Sequence, residues 1–544
     1  MATVIQFNDG PPEDDTPPFD YDEPEAGEYH HPSNEPAHHA QGNGSGPSRT
    51  LVRLLPGCLH KYAAATEGLI AQEVYVRGGD LVRIGLSPDL ANPAGSLHIT
   101  RDERQAVVLP VSAEHLRRRL TELAQFQVYR RREKDWVDID CPKDLAANIM
   151  GAGDWPQFKS LTAIATAPFI RPDLTICATH GYDAATGVYL RPAQAFPSIP
   201  AEPTRTEADE ALSALMQAFG EFPFAEPASR AVFAANVLTA AVRVTLGTSP
   251  VFFYTAPVPA TGKTLLARMP NLIATGTEPA IRPHTDESEE VRKVLYSALL
   301  AGDSALLFDN VPNGVKIRSA ILCGFTTAAS YADRRLGTSD SRGLPNRVVV
   351  TITGNNITPC GDLARRSLVC RLDVNAESAR GRQFQIPDLM TYVMQRRPTL
   401  LTAALTIVRG YIAAGCPHVA KPLESFEAWS RLCRDPLIWL GMADAVESQA
   451  TETDDEVDAL RAAFTALAAV FNGKEFMSRD VCAAVGSAAM EMRATLSAAG
   501  CSDADDSAKV GYWLRANRDK VAAGHKLVVR PPSEGTTKWR LRRL

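Results

Sequence analysis

The sequence predicts an α/β chain with a phosphate-binding-loop core, an N-terminal α/β (or α+β) domain before it and a C-terminal winged-helix domain after it. Three observations carry that expectation. Residues 249–264, Ser-Pro-Val-Phe-Phe-Tyr-Thr-Ala-Pro-Val-Pro-Ala-Thr-Gly-Lys-Thr, read as an apolar strand running into a loop that ends Gly-Lys-Thr. Two later apolar runs, 305–311 and 347–356, end in polar residues, as buried parallel strands do when their carboxyl ends carry a site. From residue 451 onward the pattern is helix, helix, helix, then a hairpin, the order of a winged helix.

Composition bounds the rest. At 544 residues the chain holds about three domains, and 45% hydrophobic content is ordinary for a globular protein. No apolar run approaches a membrane span and no signal-peptide pattern opens the chain, so a cytoplasmic location and no membrane partner are expected. Ten cysteines occur with no C-x-x-C pair. Cys177, Cys323, Cys370 and Cys482 lie in apolar segments, which suggests small hydrophobes in a reducing compartment rather than a zinc site. The net charge of −6 is unevenly placed. Residues 1–50 hold ten acidic residues and one basic, leaving 56 basic against 53 acidic residues in the remainder. Residues 1–49 therefore read as a disordered acidic tail.

Taken in order, residues 50–200 mix short strands (Glu73–Arg77, Asp80–Leu86) with a helix over Ala113–Leu123, as an α/β collar or a platform through which DNA enters. Within it, Asp138 and Asp140 form a D-x-D pair that could hold two catalytic metals or simply line the solvated face of an edge strand. Residues 201–450 form the ATPase domain, which begins with a Pro-rich hinge and two helices. Gly262, Lys263 and Thr264 are the committed end of a Walker A motif, G-x-x-x-x-G-K-[ST]. The backbone of Pro259, Ala260, Thr261, Gly262 and Leu265 would wrap phosphates, Lys263 would supply charge to them, and Thr264 would reach Mg²⁺. Pro257 stands where the motif has its first glycine and lacks an amide donor. Asp309 ends the 305–311 strand as a Walker B aspartate, a second Mg²⁺ ligand. Asn355 and Asn356 end the next strand in the sensor-1 position, able to orient the attacking water. Arg365 and Arg366 are expected to open a further strand and to reach a neighbouring subunit's nucleotide as an arginine finger. ATP and Mg²⁺ are the implied cofactors.

Residues 451–544 complete the chain. From residue 508 there are ten Lys/Arg against two acids, a stripe that favours phosphates. Arg515, Arg518 and Lys520 are expected on the recognition helix, with Arg530, Lys538 and Arg540 on the wing.

These residues carry a resemblance. R-x-L-G-T-S at 334–339, T-G-N-N at 353–356 and G-D-L-A-R-R at 361–366 resemble the AAA+ helicase module of phage, prophage and plasmid replication proteins. That module is the helicase part of primase–helicases and is related to superfamily-three helicases. The likeness extends to S-F-E-A-W-S-R-L at 425–432 and D-P-L-I-W-L-G at 435–441. Upstream it includes W-P-Q-F-K-S-L-T-A-I at 155–164, R-P-D-L-T-I at 171–176 and G-Y-D-A-A-T-G at 181–187. It implies an AAA+ core and a homo-hexameric ring on single-stranded or forked DNA. It also implies a translocation hairpin within 329–346 carrying Arg334, Arg335 and Arg342, and a separate primase or replication initiator as partner.

One position departs from the pattern. Asn310 stands where most such proteins have the glutamate that polarises water, and an amide accepts no proton at neutral pH. Glu289 or Glu290, in the helix before Asp309, is the candidate base, and a sharp fall in turnover is expected for Glu290→Gln. Two functions compete: an ATP-driven DNA helicase for a phage or mobile element, and an ATP-switched origin-recognition protein without processive unwinding. The pair at 138 and 140 lacks a partnering histidine or basic cluster, which weighs against primase chemistry.

Overall fold

A computed structural model of the chain describes residues 4–5, 49–86, 106–192, 194–285, 287–334, 341–374, 384–449, 455–533 and 536–544. Among these, no helix is long and apolar enough to cross a membrane, and the ten cysteines form no disulfide. Cys177, Cys323 and Cys370 are buried, and burial pushes the Cys323 thiol up to about 11.

The centre is a five-stranded parallel sheet. Its strands are β1 (Val251–Ala256), β2 (Ala280–Pro283), β3 (Ala305–Val311), β4 (Val349–Asn355) and β5 (Ser367–Arg371), in spatial order β2-β3-β4-β1-β5. Every residue of β1 is buried because helices cover both faces of the sheet. Phe252 and Tyr254 point into one core, with Leu266, Val237 and Leu401. Val251 and Phe253 point into the other, with Leu295, Leu322 and Phe325. Two covered faces require the uninterrupted apolar run seen in the sequence. Helix α1 (Lys263–Thr275) follows β1 and crosses to the far edge strand β2; α2 (Ser288–Ala301) then leads into β3. The chain thus leaves β1 toward one edge and places β5 on its other side, which opens a crevice at the carboxyl ends of the strands.

Ahead of the core, Val4–Ile5, Thr50–Leu54, Ala124–Arg130 and Asp135–Ile139 form a four-stranded sheet in that order. Three helices, Leu59–Ile70, Ala113–Leu123 and Lys143–Gly151, pack on one face around Val52, Leu116, Phe126 and Leu145. Val4–Ile5 pair in parallel with Leu51–Val52, so this pair is an exception to the expectation of a structureless tail; residues 6–48, with their histidine pairs, lie outside the described residues. The N-terminal part is joined to the core by hydrogen bonds and by Ala167 and Ile170, which enter the core cluster. Thr166 Oγ1 donates to the carbonyl of Thr275 at 2.8 Å, and Arg77 donates to the carbonyl of Leu300 at 3.4 Å.

Beyond residue 455 lie four helices, Asp455–Phe471, Ser478–Ala483, Ser487–Ala498 and Ser507–Ala516, followed by a three-stranded antiparallel sheet of Val521–Ala522, His525–Ser533 and Thr536–Arg543. Trp513 and Trp539 are both buried in their shared core. The helix over 487–498 is additional to the three expected from the sequence. Gly486, at φ +105°, lets the chain turn sharply enough to start it.

Candidate nucleotide-binding site

Parallel pairing delivers the candidate residues to one rim. In the loop between β1 and α1, Ala260 and Gly262 adopt left-handed backbone, with φ +64° and +87°. Such a conformation curls successive N–H groups toward an anion. Gly262 is doubly constrained: a Cβ there would lie 3.0 Å from the Phe222 ring, on a backbone L-residues avoid. Pro257 keeps a role through its carbonyl, which accepts from Asn356 Nδ2 at 3.4 Å. Asn356 also donates to Asn313 at 2.9 Å, so it ties the loop to the tip of β4.

Asp309 is the point of convergence. Its Oδ1 accepts from Thr264 Oγ1 at 2.9 Å, from its neighbour's amide, Asn310 N, at 2.9 Å, and from Thr353 Oγ1 in a short bond. A bulge between Phe308 and Val311 makes this possible by rotating Asn310 to φ +59°. Asn310 itself is exposed. Thr353 and Asn355 are two apart on β4 and share a face, which puts Asn355 on the same rim.

Three observations test whether a triphosphate and hydrated Mg²⁺ fit. The Oδ1 of Asn355 and the hydroxyl of Thr261 are buried and have no hydrogen-bond partner among the described residues, a state native structures seldom leave unused. Lys263 is half-buried, and that desolvation holds its ammonium below the usual lysine range although the Asp309 carboxylate pulls the other way. All hydrogen bonds to Asp309 among the described residues go to Oδ1, which leaves Oδ2 to face a hydrated cation. The donor set fits both groups. Residues 259–265 would wrap the phosphates, and Thr264 and Asp309 would hold the metal.

Other candidates fall elsewhere. Glu290 lies in the first turn of α2 and accepts from Lys293 at 2.6 Å, while Glu289 pairs with Arg292 at 2.6 Å. No described contact joins either glutamate to Asp309 or Thr264. Arg365 and Arg366 do not open β5 as expected. They end a 3-10 helix over Gly361–Arg366, and both guanidiniums hold the carboxylate of Asp362. The physical reason is local: Gly361, at φ +61°, turns the chain, and one carboxylate three and four residues back satisfies both cations within that turn.

The candidate DNA-contact residues separate into two groups. Ser330–Arg334 and Ser341–Pro345 form the hairpin expected in that region, with Arg334 opposite Ser341 and Asp333 opposite Arg342. Arg335 lies outside the described residues. At the C-terminus only Arg515 sits on the helix, which ends at Ala516. Arg518 and Lys520 fall in the following turn, because Asp519 at φ +64° reverses the chain there. Arg518 pairs with Asp519 at 3.2 Å and Lys520 donates to Asn517 at 2.9 Å. Cross-strand pairing of Arg530 with Lys538 and Val528 with Arg540 places Arg530, Lys538 and Arg540 on one face of the hairpin. The partner of Arg530 is Glu475, at 3.2 Å.

Sequence reasoning passed over Thr353, and it named Thr261 for its place in the loop rather than for its hydroxyl. The signal for Thr353 was its position two residues before Asn355, which strand periodicity puts on the same face. No sequence signal marks the unpartnered Thr261 hydroxyl.

The D-x-D pair does not assemble a metal site. Asp138 lies on an edge strand and accepts from the side-chain amides of Gln125 and Gln127 at 2.9 Å each, while Asp140 lies 3.8 Å from Arg117. Among the described residues no group of three potential metal ligands comes together.

No family model matches the chain, and no curated protein matches it. Among solved structures it is similar to the apo A form of the NrS-1 C-terminal region, at 10% identity and a TM-score of 0.32, over 75% of this chain and 92% of that one. It is also similar to JCV helicase bound to an aryl acetamide, at 14% identity and a TM-score of 0.19, over 38% of this chain and 61% of that one. Overlaps this slight establish no fold, so the architecture rests on the sheet order and the pairing described above.

Proposed function

We propose that the chain is an ATP-driven, ring-forming DNA helicase of the AAA+ type, serving the replication of a phage or mobile element. The observation that carries this is the cluster at the carboxyl rim. Thr264 and Thr353 both bond Asp309, while Lys263, Asn355 and Thr261 stand ready beside a left-handed glycine loop. A P-loop that binds ATP and Mg²⁺ needs that donor set. On this reading residues 50–200 are a collar, 201–450 the motor and 451–544 a winged helix whose basic hairpin face meets DNA.

The position of the arginine pair supports a subunit-bridging site. β5 runs parallel to β1, with Val251 opposite Ser367 and Thr255 opposite Arg371. Arg365 and Arg366 therefore lie at the amino rim, about 16 Å of strand away from the loop in their own chain. On this reading they complete a neighbour's site, which is the logic of a closed ring, most simply a hexamer.

ATP and Mg²⁺ would supply the phosphoryl chemistry. The chain's own residues position it: Lys263 neutralises phosphate charge, Thr353 fixes the Asp309 carboxylate, and Asn355 orients water. Asn310 leaves the proton acceptor to another group. Glu290 is available for that role because its pairing with Lys293 is exposed and such pairs hold weakly. Glu290→Gln is expected to lower turnover about a hundredfold with nucleotide affinity retained; an unchanged rate removes Glu290 from the mechanism.

Asn310 favours a second reading, an ATP-switched origin-recognition protein in which slow hydrolysis is a timer. A forked-DNA assay separates the two. Strand displacement that needs ATP and is lost in Lys263→Ala supports the helicase, whereas footprinting at a specific sequence without displacement assigns the initiator.

A further inference from the structure

Among the described residues, the four-stranded N-terminal sheet has one face packed by helices and one left open. We propose that the open face is a stacking platform for single-stranded DNA, centred on Tyr129 and Trp136. The two rings are cross-strand partners on adjacent strands, with centroids 5.7 Å apart and planes at 69°. Neither belongs to the core beneath the sheet, and Tyr129 is 43% exposed. The guanidinium of Arg53, on the strand beyond that of Tyr129, lies 5.0 Å from the Trp136 ring centroid and near enough to Gln127 to donate at 3.4 Å.

Physical cost makes the arrangement informative. Large aromatics usually earn their place by burial, yet this pair stands on a solvated face where a threonine would serve the strand equally well. What the face offers is a flat π surface, a cation and a row of polar groups. Gln125, Gln127 and Asp138 are held in register by their own hydrogen bonds, and they can meet the Watson–Crick edges of splayed bases. The turn joining the two strands adds charge complementarity. Residues 130–134 read Arg-Arg-Arg-Glu-Lys, and the cations of this turn draw a backbone phosphate toward the sheet. Duplex DNA hides its base faces, so stacking selects single strands.

That the strand is DNA rests on the helicase reading; the platform geometry does not. The test uses the full chain, a fluorescent oligothymidylate and no nucleotide. Trp136→Leu and Tyr129→Leu are each expected to weaken binding about tenfold, with DNA-independent ATP hydrolysis unchanged and the salt dependence kept, since phosphate contacts survive. Photocrosslinking of the unaltered protein to an oligonucleotide carrying 5-iodouracil is expected to label Trp136 or Tyr129, which guards against a misfolded variant. Wild-type affinity in the double variant, or adducts only elsewhere, overturns the platform. Retained DNA affinity with altered self-association assigns the face to a second copy of the chain and overturns it equally. ATP hydrolysis abolished by Lys263→Ala reports separately on the motor. A chain without hydrolysis whose aromatic variants still lose oligonucleotide affinity keeps the platform and sinks the motor.

Discussion

Thr353 shows how much a site can depend on a residue that touches no substrate. Its hydroxyl and that of Thr264 share one oxygen of Asp309, so on the proposed reading the carboxylate would be aimed before a metal arrived. Thr353→Val removes the donor while nearly keeping the volume. Hydrolysis is expected to fall about tenfold to a hundredfold, with Thr353→Ser restoring most of it, because a lost hydrogen bond to a charged group costs about 1.5–3 kcal/mol. A steady-state ATPase assay at varied Mg²⁺ reads the effect; equal rates for the valine and serine variants would leave Thr353 with packing alone. Lys263 makes a second prediction through its charge. Burial lowers its pKa in the protein without nucleotide, and the protonated form is the one that attracts phosphate. Nucleotide affinity therefore falls as pH rises through that lowered value, earlier than an ordinary lysine would allow, and a bound triphosphate pushes the value back up. Titrating a non-hydrolysable ATP analogue against increasing pH measures both steps. Affinity that stays flat until the ordinary lysine range would contradict the desolvation.

Elements differ in how legible they were. The strand at 251–256 was readable because both of its faces are covered, so its pattern is a plain apolar run. The Gly-Lys-Thr end was readable because a left-handed turn before a helix demands glycine. The carboxylate of Asp309 and the amide of Asn355 follow from strands that end where solvent begins. Less was legible wherever a turn decides the outcome. Gly361 and Asp362 convert an expected strand opening into a 3-10 helix, and the turn after Ala516 takes Arg518 and Lys520 off the helix on which they were expected. The bulge at 308–311 is invisible to pattern because it arises from pairing with β4. These corrections reshape the C-terminal prediction. Lys538 and Arg540 share a regular hairpin face, whereas the guanidinium of Arg518 pairs with Asp519 in a turn. Lys538→Ala and Arg540→Ala are each expected to weaken DNA binding and to reduce its salt slope by about one. Arg518→Ala should change both less. Affinity measured over a series of salt concentrations decides between this ranking and a uniform contribution from all three.

At the scale of the whole molecule, the length of one sheet separates the two halves of the proposed site. The carboxyl rim carries the phosphate loop and Asp309, and the amino rim carries Arg365, Arg366 and the hairpin ahead of β4. On the proposed ring reading, a single chain would own half of two sites and the whole of none, and isolated subunits would be poor enzymes whatever their nucleotide affinity. Complementation follows. A Lys263→Ala chain lacks the cradle but keeps its arginines; an Arg365→Ala, Arg366→Ala chain lacks the finger but keeps its cradle. Each alone is expected to be inactive. Mixed in equal amounts and allowed to exchange, they should regain activity, because about a quarter of the interfaces then join an intact loop to an intact arginine pair. Analytical ultracentrifugation with an ATP analogue would show whether the mixture assembles. Assembled mixtures that recover nothing would mean the arginines act within their own chain or not at all, and the 16 Å argument would have to give way to a rearrangement of β5.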